Sequence, residues 1–168
     1  WTEIPARSAR YAPFPEAMDE RLRQALQSRG IRQLYTHQRQ ALDAVAAGRD
    51  AVVVTPTASG KTLCYNLPVL QRILAEPEAR ALYLFPTKAL AADQVAELHE
   101  LVEQMGVDIK TFTYDGDTAV SARKAVRQAG HVVVTNPDML HSGILPGHTK
   151  WVKLFENLRF VVIDEIHT

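Results

Sequence analysis

The hydrophobic positions of this chain alternate between short continuous runs and longer stretches with helical periodicity. Five apolar runs have the length of strands, and several of them lack a polar face: Ala51–Val54, Ala81–Phe85, Ile109–Tyr114, His131–Thr135 and Phe160–Ile163. The stretches between them predict helices, at Thr62–Leu74, Lys88–Met105, Ala119–Ala129 and Asp138–Leu145. This order predicts an α/β domain with a mainly parallel sheet and helices on both faces. Ligands of such sheets bind at the carboxyl ends of the strands.

The N-terminal part has a different pattern. A proline-containing lead-in precedes a predicted helix at Glu16–Arg29, which Gly30 is placed to end. Thr36 is predicted to cap a second helix over residues 37–47. We therefore expect two parts, a lead-in with one helix over residues 1–35 and the main domain over residues 36–168.

Composition narrows the class of protein only slightly. The 168 residues are 46% hydrophobic, enough for a real core, and their formal net charge is zero. Neutrality gives no bulk signal for nucleic acid, although loop amides and a few side chains can bind a phosphate backbone without it. The single cysteine, Cys64, is expected to be a small buried residue. No apolar stretch reaches the ~18–20 residues that a membrane span needs, so no membrane partner is expected.

The segment TPTASGKT, residues 55–62, follows an apolar run and precedes a helical one. A loop of this kind presents several backbone N–H groups to one point, where the helix dipole adds positive potential. We expect the loop to bind ATP through Thr57, Ala58, Ser59, Gly60, Lys61 and Thr62. Lys61 would reach the β- and γ-phosphates, and the Thr62 hydroxyl would ligate Mg²⁺. Thr55 stands where the usual pattern begins with glycine.

A second candidate site lies at the end of the last apolar run, where Asp164 and Glu165 follow Ile163. Asp164 can hold Mg²⁺ directly or through a water. Glu165 is placed to polarise the water that attacks a phosphate. Together with Lys61, the pair predicts phosphoryl-transfer chemistry.

With further segments, the chain resembles superfamily 2 helicases. The segments are a glutamine motif at Tyr35–Gln38, TPTASGKT, PTKALA, TNPD and DEIH, in that order. Finer details, LYTHQ, TYDGDT and VVIDEIHT, resemble the YprA-like (Mrf-type) DNA helicases. Those are 3′-to-5′ DNA translocases implicated in repair, often with a cysteine-rich zinc region far downstream.

The resemblance implies a RecA-like P-loop NTPase fold, present here as an incomplete first lobe. It implies ATP and Mg²⁺ as cofactors, and single-stranded or tailed duplex DNA as a partner. A second RecA-like lobe of the same parent chain would complete the ATP site. The chain starts at Trp1 and stops after the acidic strand end, so we expect an excised piece that hydrolyses ATP poorly and does not unwind DNA alone. The expected location is the cytoplasm of a bacterium or archaeon, or the nucleus of a eukaryote.

The resemblance also implies roles for single residues in the ATP site. Gln38 corresponds to the glutamine that reads the adenine edge, and Tyr35 either lies near the base or packs in the core. His167 corresponds to the residue that couples the ATP site to the nucleic-acid site. It joins Lys61 and the two carboxylates in the expected catalytic set.

Three strand-end loops correspond to the family's nucleic-acid track. Their candidate contacts are Pro86, Thr87 and Lys88 in the first loop, Gly116 and Thr118 in the next, and Thr135, Asn136, Pro137 and Asp138 in the last. Asp115 and Asp117 would repel phosphate. The last loop could equally be an ordinary helix-capping turn. The basic strip of Arg123, Lys124 and Arg127 is interpreted as a solvated helix face.

Two other functions remain open on the residues alone. A nucleotide-binding module without motor activity would explain the phosphate loop and the carboxylates, but not the three loops. A duplex-DNA translocase that does not separate strands would explain all the motifs. RNA as the substrate also stays open, since loops that bind the backbone do not read bases or the 2′-hydroxyl reliably.

Overall fold

The structure is a computed structural model that describes residues 9–55 and 59–166. The chain divides into two compact units, residues 1–68 and 69–168. The division falls inside a helix, at Pro68, a residue that lacks the N–H for one helical hydrogen bond. None of the helices in the described ranges is long and apolar enough to cross a membrane.

Unit 1 consists of helices and a two-residue strand pair. Its elements in chain order are β1 (Tyr11–Ala12), α1 (Glu20–Ser28), β2 (Leu34–Tyr35), α2 (Thr36–Ala46) and the start of α3 (Lys61–Ala75). Asp19 caps α1 by accepting from the Arg21 amide at 2.9 Å, and Gly30 follows the helix with a positive φ of 79°. β1 and β2 are antiparallel, with Tyr11 opposite Tyr35.

Two predictions for unit 1 are wrong. Thr36 is the first residue of α2 and not its cap. The N-terminal capping bond comes instead from the Gln38 side chain, which accepts from the Tyr35 amide at 2.8 Å. The predicted strand Ala51–Val54 is not formed, and Val52 and Val54 are 84% and 90% exposed. A strand requires a hydrogen-bonded neighbour, and no described strand pairs with this segment.

Unit 2 is built on a four-stranded parallel sheet with strand order β4-β5-β3-β6. Its elements in chain order are β3 (Arg80–Leu84), α4 (Lys88–Met105), β4 (Thr111–Thr113), α5 (Val120–Ala129), β5 (Val132–Thr135), α6 (Pro137–Met139), α7 (Val152–Glu156) and β6 (Leu158–Ile163). β3 and β5 are buried along their whole length, as expected for inner parallel strands. The predicted α/β class is confirmed.

The buried core of unit 2 joins the sheet to the helices that follow it. Leu82, Leu84 and Val133 of the sheet pack with Val126 of α5 and with Trp151, which lies just before α7. α4 ends at Gly106, whose φ is 65°, as in a left-handed helix cap.

Other elements of unit 2 differ from the pattern. The predicted helix Asp138–Leu145 is one short turn of α6 followed by a π-helical turn at Leu140–Ile144 and a 3₁₀ segment at Leu145–Lys150. The run Phe160–Ile163 is apolar throughout, yet the exposure of β6 alternates, and Val161 and Ile163 are half exposed. β6 is an edge strand of the described sheet, and an edge strand is covered less completely than an inner one.

Candidate functional site

A side-chain bond closes the described ends of the phosphate loop in unit 1. The hydroxyls of Thr55 and Ser59 lie 2.6 Å apart, so Thr55 closes the loop from the position at which the usual pattern has glycine. Gly60 has a positive φ of 73°, and α3 begins at the next residue, Lys61. Of the predicted ATP contacts, Thr57 and Ala58 lie outside the described residues.

Two side chains at the start of α2 hold the carbonyl groups of this loop. The Nε2 atom of His37 lies 3.0 Å from the Ser59 carbonyl oxygen, and the Nε2 atom of Gln38 donates to the Gly60 carbonyl at 2.9 Å. In a trans peptide the N–H points away from the C=O. Because the Ser59 carbonyl faces His37, the N–H of Gly60 faces the opposite side. The loop amide is thereby directed before any phosphate is bound.

Gln38 is buried, with 2% of its surface exposed. Its oxygen accepts from the Tyr35 amide and its nitrogen donates to Gly60. A carboxamide has two N–H donors and two lone pairs, so each end retains capacity for one more bond. The adenine contact of Gln38 therefore stays a prediction that is compatible with these bonds.

Three aromatic rings form a stack beside the loop. The rings of Tyr11 and Tyr35 have centroids 5.2 Å apart, and those of Tyr35 and His37 are 5.6 Å apart and tilted by 10°. Offset stacking of this kind stabilises ring orientation. The stack holds Tyr35 and, through it, the His37 ring that contacts the phosphate loop.

Lys61 and Thr62 occupy the first turn of α3, which has 15 residues. The first N–H groups of a helix lack partners within the helix and carry partial positive charge, which favours a phosphate there. An ammonium and a hydroxyl at this position fit a triphosphate with its Mg²⁺. These residues are therefore suited to the roles that the sequence predicts for them.

The acidic strand end lies in unit 2, after β6. The Asp164 amide donates to the Leu84 carbonyl at 3.1 Å, which continues the β3–β6 ladder by one step. The Glu165 amide donates to an Asp164 carboxylate oxygen at 2.9 Å. Glu165 has φ of 53°, a left-handed conformation that is uncommon for residues other than glycine and is often found at functional sites.

Carboxylate oxygens are ligands that Mg²⁺ prefers, so the donor set at Asp164 fits the metal that the sequence predicts. His167, the fourth predicted catalytic residue, lies outside the described residues.

A small cleft at the carboxyl edge of the sheet of unit 2 brings together all three strand-end loops. It has a volume of about 10 Å³, about the space of one water molecule. Its lining residues are Phe85, Thr87, Lys88, Ala91, Thr113, Asp115, Thr135 and Asn136. A cleft of this size can take a single phosphate oxygen.

The polar side chains of the cleft are held by the ends of strands and helices. Thr87 caps α4 by accepting from the Leu90 amide at 3.3 Å, and Asn136 caps α6 by accepting from the Met139 amide at 2.7 Å. The Thr135 hydroxyl donates to the Tyr114 carbonyl at 2.7 Å. The loop at Asn136 is thus a capping turn that also lines the cleft.

Lys88 forms ion pairs with the carboxylates of the neighbouring loop. Its ammonium contacts the Asp117 carboxylate and lies 3.9 Å from that of Asp115. The hydrogen bond to Asp117 raises the pKa of Lys88 and lowers the pKa of Asp117, so both groups are charged at neutral pH. The residues expected to repel phosphate therefore pair with the lysine expected to bind it.

Of the other predicted nucleic-acid contacts, Pro86, Gly116, Thr118, Pro137 and Asp138 are not among the lining residues of the cleft. The Thr118 hydroxyl accepts from the Asp115 amide at 2.9 Å. Its described role is to hold the turn that carries the two aspartates.

Two contributing residues were missed at the sequence level. His37 lies inside the glutamine motif but was given no role. Arg123 was interpreted as part of a solvated strip, yet it donates to the Thr118 carbonyl at 3.0 Å and lies 5.7 Å from the centre of the Tyr114 ring. Its position five residues after Thr118, in the first turn of α5, was the only signal in the sequence.

Comparisons with known proteins agree with this geometry. A profile of the DEAD/DEAH box helicase family matches residues 35–168. The chain is 64% identical over 168 residues to the uncharacterised ATP-dependent helicase YprA of Bacillus subtilis, covering 100% of this chain and 22% of that protein. It is 38% identical over 166 residues to the ATP-dependent helicase hrq1 of Schizosaccharomyces pombe, covering 97% of this chain and 16% of that protein.

A solved structure is similar along almost the whole chain. A crystal structure of the DUF1998 helicase MrfA bound to DNA and AMPPNP matches with a TM-score of 0.95 and 63% sequence identity, covering 98% of this chain and 23% of that chain. The chain spans less than a quarter of the length of each of these three relatives.

Proposed function

Since this chain belongs to the DEAD/DEAH box helicase family, as a first RecA-like lobe of superfamily 2, we propose that it serves an ATP-dependent DNA helicase as its ATP-binding and DNA-gripping lobe. The observation that carries the proposal is the cleft of unit 2, which Lys88, Asp115 and Asn136 line together from three separate strand-end loops. A nucleotide-binding module without motor activity does not require these three loops to meet.

In this function the phosphate loop binds Mg-ATP. Lys61 would contact the β- and γ-phosphates, Thr62 and Asp164 would hold Mg²⁺, and Glu165 would orient the attacking water. Gln38 reads the adenine while it holds Gly60. Magnesium supplies charge neutralisation on the transferring phosphate when it is bound, and His167 together with a second RecA-like lobe completes the site.

The loops of unit 2 bind the sugar-phosphate backbone of single-stranded or tailed duplex DNA. Thr87 lies at the start of the 18-residue α4, where phosphate is favoured, Asn136 caps the short turn α6, and Lys88 adds the positive charge. DNA rather than RNA is supported by the similarity to MrfA, whose structure contains DNA. The 3′-to-5′ direction, the role in repair and a location in the cytoplasm or nucleus rest on the resemblance to YprA-like helicases.

The test uses the whole natural protein in which these residues occur. Lys61→Ala removes the ammonium that meets the transferring phosphate, so we expect the DNA-stimulated ATPase rate to fall about a hundredfold or more, as when a transition-state donor is removed. Lys88→Ala should leave nucleotide affinity unchanged and weaken the binding of single-stranded DNA. Nucleotide affinity, DNA affinity and ATPase rate are measured for each variant.

Lys110→Ala is the matched control, because Lys110 is an exposed lysine of unit 2 that pairs with Asp108 away from the cleft. It should behave as the native chain in all three measurements. Unchanged ATP turnover in Lys61→Ala would refute the nucleotide assignment, and unchanged DNA affinity in Lys88→Ala would refute the assignment of the cleft.

A further inference from the structure

The ammonium of Lys88 faces two carboxylates on the loop after β4. Asp117 is in direct contact with it, and Asp115 stands 3.9 Å away. The Lys88–Asp117 pair joins residues 29 positions apart in the sequence, so it links two of the three loops that line the cleft. A lysine expected to bind phosphate therefore already has an anionic partner of its own.

The loop that presents these carboxylates is fixed by its own hydrogen bonds. Asp115 accepts from the Asp117 amide at 2.9 Å and from the Thr118 hydroxyl at 3.3 Å. The Thr118 carbonyl is held in turn by Arg123. Asp115 is one of the residues that line the cleft, whereas the Asp117 side chain is 83% exposed. The Asp115 carboxylate, whose side chain is 16% exposed, orders the turn, and the more exposed Asp117 carboxylate is free to separate from its partner.

We propose that Asp117 is a built-in competitor for nucleic-acid phosphate: Lys88 exchanges this carboxylate for a phosphate group when the strand enters the cleft, and the exchange sets the affinity and the salt dependence of binding. The proposal rests on the function proposed above, since it requires that Lys88 contact the backbone. It gives Asp117 a role in setting affinity through Lys88, in addition to its direct repulsion of phosphate.

Exchange is favoured over simultaneous binding by the charges involved. A phosphate beside Lys88 places a third anion next to Asp115 and Asp117, and like charges at this spacing repel. Exposed ion pairs are weak because water screens them, so Asp117 weakens binding without preventing it. From the usual strength of exposed pairs, we expect removal of its charge to tighten binding about two- to fivefold.

The exchange also leaves a signature in the salt dependence. A lysine that neutralises a phosphate of single-stranded DNA releases about 0.7 of a condensed counterion. In the native chain, the freed Asp117 carboxylate attracts cations from solution, which offsets part of that release. In Asp117→Asn no carboxylate is freed, so the slope of log K against log salt concentration becomes more negative, by less than the roughly 0.7 of a full phosphate contact.

The experiment measures binding of an unstructured oligodeoxythymidine to the intact natural chain at several salt concentrations. Four proteins are compared: native, Asp117→Asn, Lys88→Ala and the double variant. The asparagine substitution preserves side-chain size and the backbone bond to Asp115. We expect Asp117→Asn to bind the oligonucleotide more tightly than the native chain and to show the steeper slope. When Lys88 is already replaced by alanine, the same substitution should raise log K by less than half as much.

Asp108→Asn is the control for net charge. Its side chain is also 83% exposed, and it pairs with Lys110 outside the cleft, so this variant should bind as the native chain does. An unchanged affinity in Asp117→Asn, an equal gain in Asp108→Asn, or a gain that persists by half or more without Lys88 would overturn the competitor role. If instead Lys88→Ala alone leaves DNA binding unchanged, it is the proposed function of the cleft that fails.

Discussion

At the scale of the residue, Gly60 connects the start of α2 to the phosphate loop. Its φ of 73° lies in the left-handed region, and a β-carbon built on it would lie 2.7 Å from the Gln38 Nε2 atom. Gln38 is bonded at both ends of its amide, so it cannot move aside without losing a hydrogen bond. A side chain at position 60 would therefore strain the backbone and clash with Gln38.

We expect Gly60→Ala to destabilise the chain by about 1–2 kcal/mol from the left-handed backbone, with a further loss from the broken Gln38 contact. Nucleotide affinity should fall with it. The control is Gly48→Ala, which has a similar φ of 74° but no atom within 4 Å of the new β-carbon. Urea unfolding of both variants separates the two causes, and equal losses of unfolding free energy would show that Gln38 contributes nothing.

At the scale of the element, His131 ties the starts of β4 and β5 together. The Lys110 amide donates to the His131 Nδ1 atom at 3.0 Å, and the His131 amide donates back to the Lys110 carbonyl at 2.8 Å. A ring nitrogen that accepts a hydrogen bond must be unprotonated. Burial, and next the charge of Arg80, lower the pKa of His131 below its usual value.

This bond predicts that the fold is sensitive to acid. In the unfolded chain a histidine titrates near pH 6.5, whereas folded His131 takes up its proton only at lower pH. Neutral His131 therefore makes its full contribution to the free energy of unfolding above about pH 6.5. This contribution is lost as the pH falls toward the pKa of folded His131, because the unfolded state then binds more protons.

The free energy of unfolding of the native chain should thus fall as the pH is lowered below about 6.5. His131→Asn keeps an acceptor for the Lys110 amide and cannot be protonated, so its loss should be smaller. His148 is at an exposed position, so the free energy of unfolding of His148→Asn should fall with pH as much as that of the native chain. The assignment is wrong if His131→Asn and the native chain show the same pH dependence in urea titrations.

The elements also show what hydrophobic pattern can and cannot predict. β3, β5 and α4 were predicted within a residue or two, because inner strands and a capped helix carry their determinants in their own sequence. The run 51–54 contains three valines, as β5 does, but forms no strand, since strand formation depends on a neighbour that the run itself cannot specify. The π-helical turn and α7 were missed because packing around Trp151 decides them.

The candidate site also has features that the sequence predicts and features that it does not. Lys88 and the strand-end loops were recognisable from motifs, because the residues that form each loop are adjacent in sequence. The pairing of Lys88 with Asp117 was not, since only the parallel arrangement of β3, β5 and β4 brings those residues together. The roles of His37 and Arg123 depend on contacts with residues that no motif connects to them.

At the scale of the whole molecule, the sheet of unit 2 ends in β6. Val161 on this strand is 53% exposed, and β6 pairs with β3 alone among the described strands. Edge strands with exposed apolar residues promote association with other chains, and an inserted charge prevents it.

We therefore expect the 168-residue chain to associate as its concentration rises, and Val161→Lys to reduce this association. Val152→Lys is the matched control, because Val152 is 47% exposed but lies on α7. Light scattering over a range of concentrations distinguishes the two variants. If both substitutions reduce scattering equally, added charge and not the strand edge is responsible.

The packing of Trp151 has a spectroscopic consequence. Its indole is 1% exposed and meets the ring of Tyr114 edge-on, with centroids 4.7 Å apart. Tyr114 immediately precedes the aspartates that face Lys88, and the only other tryptophan of the chain is at position 1. We therefore expect the emission of Trp151 to report changes in the conformation of that loop without an attached dye.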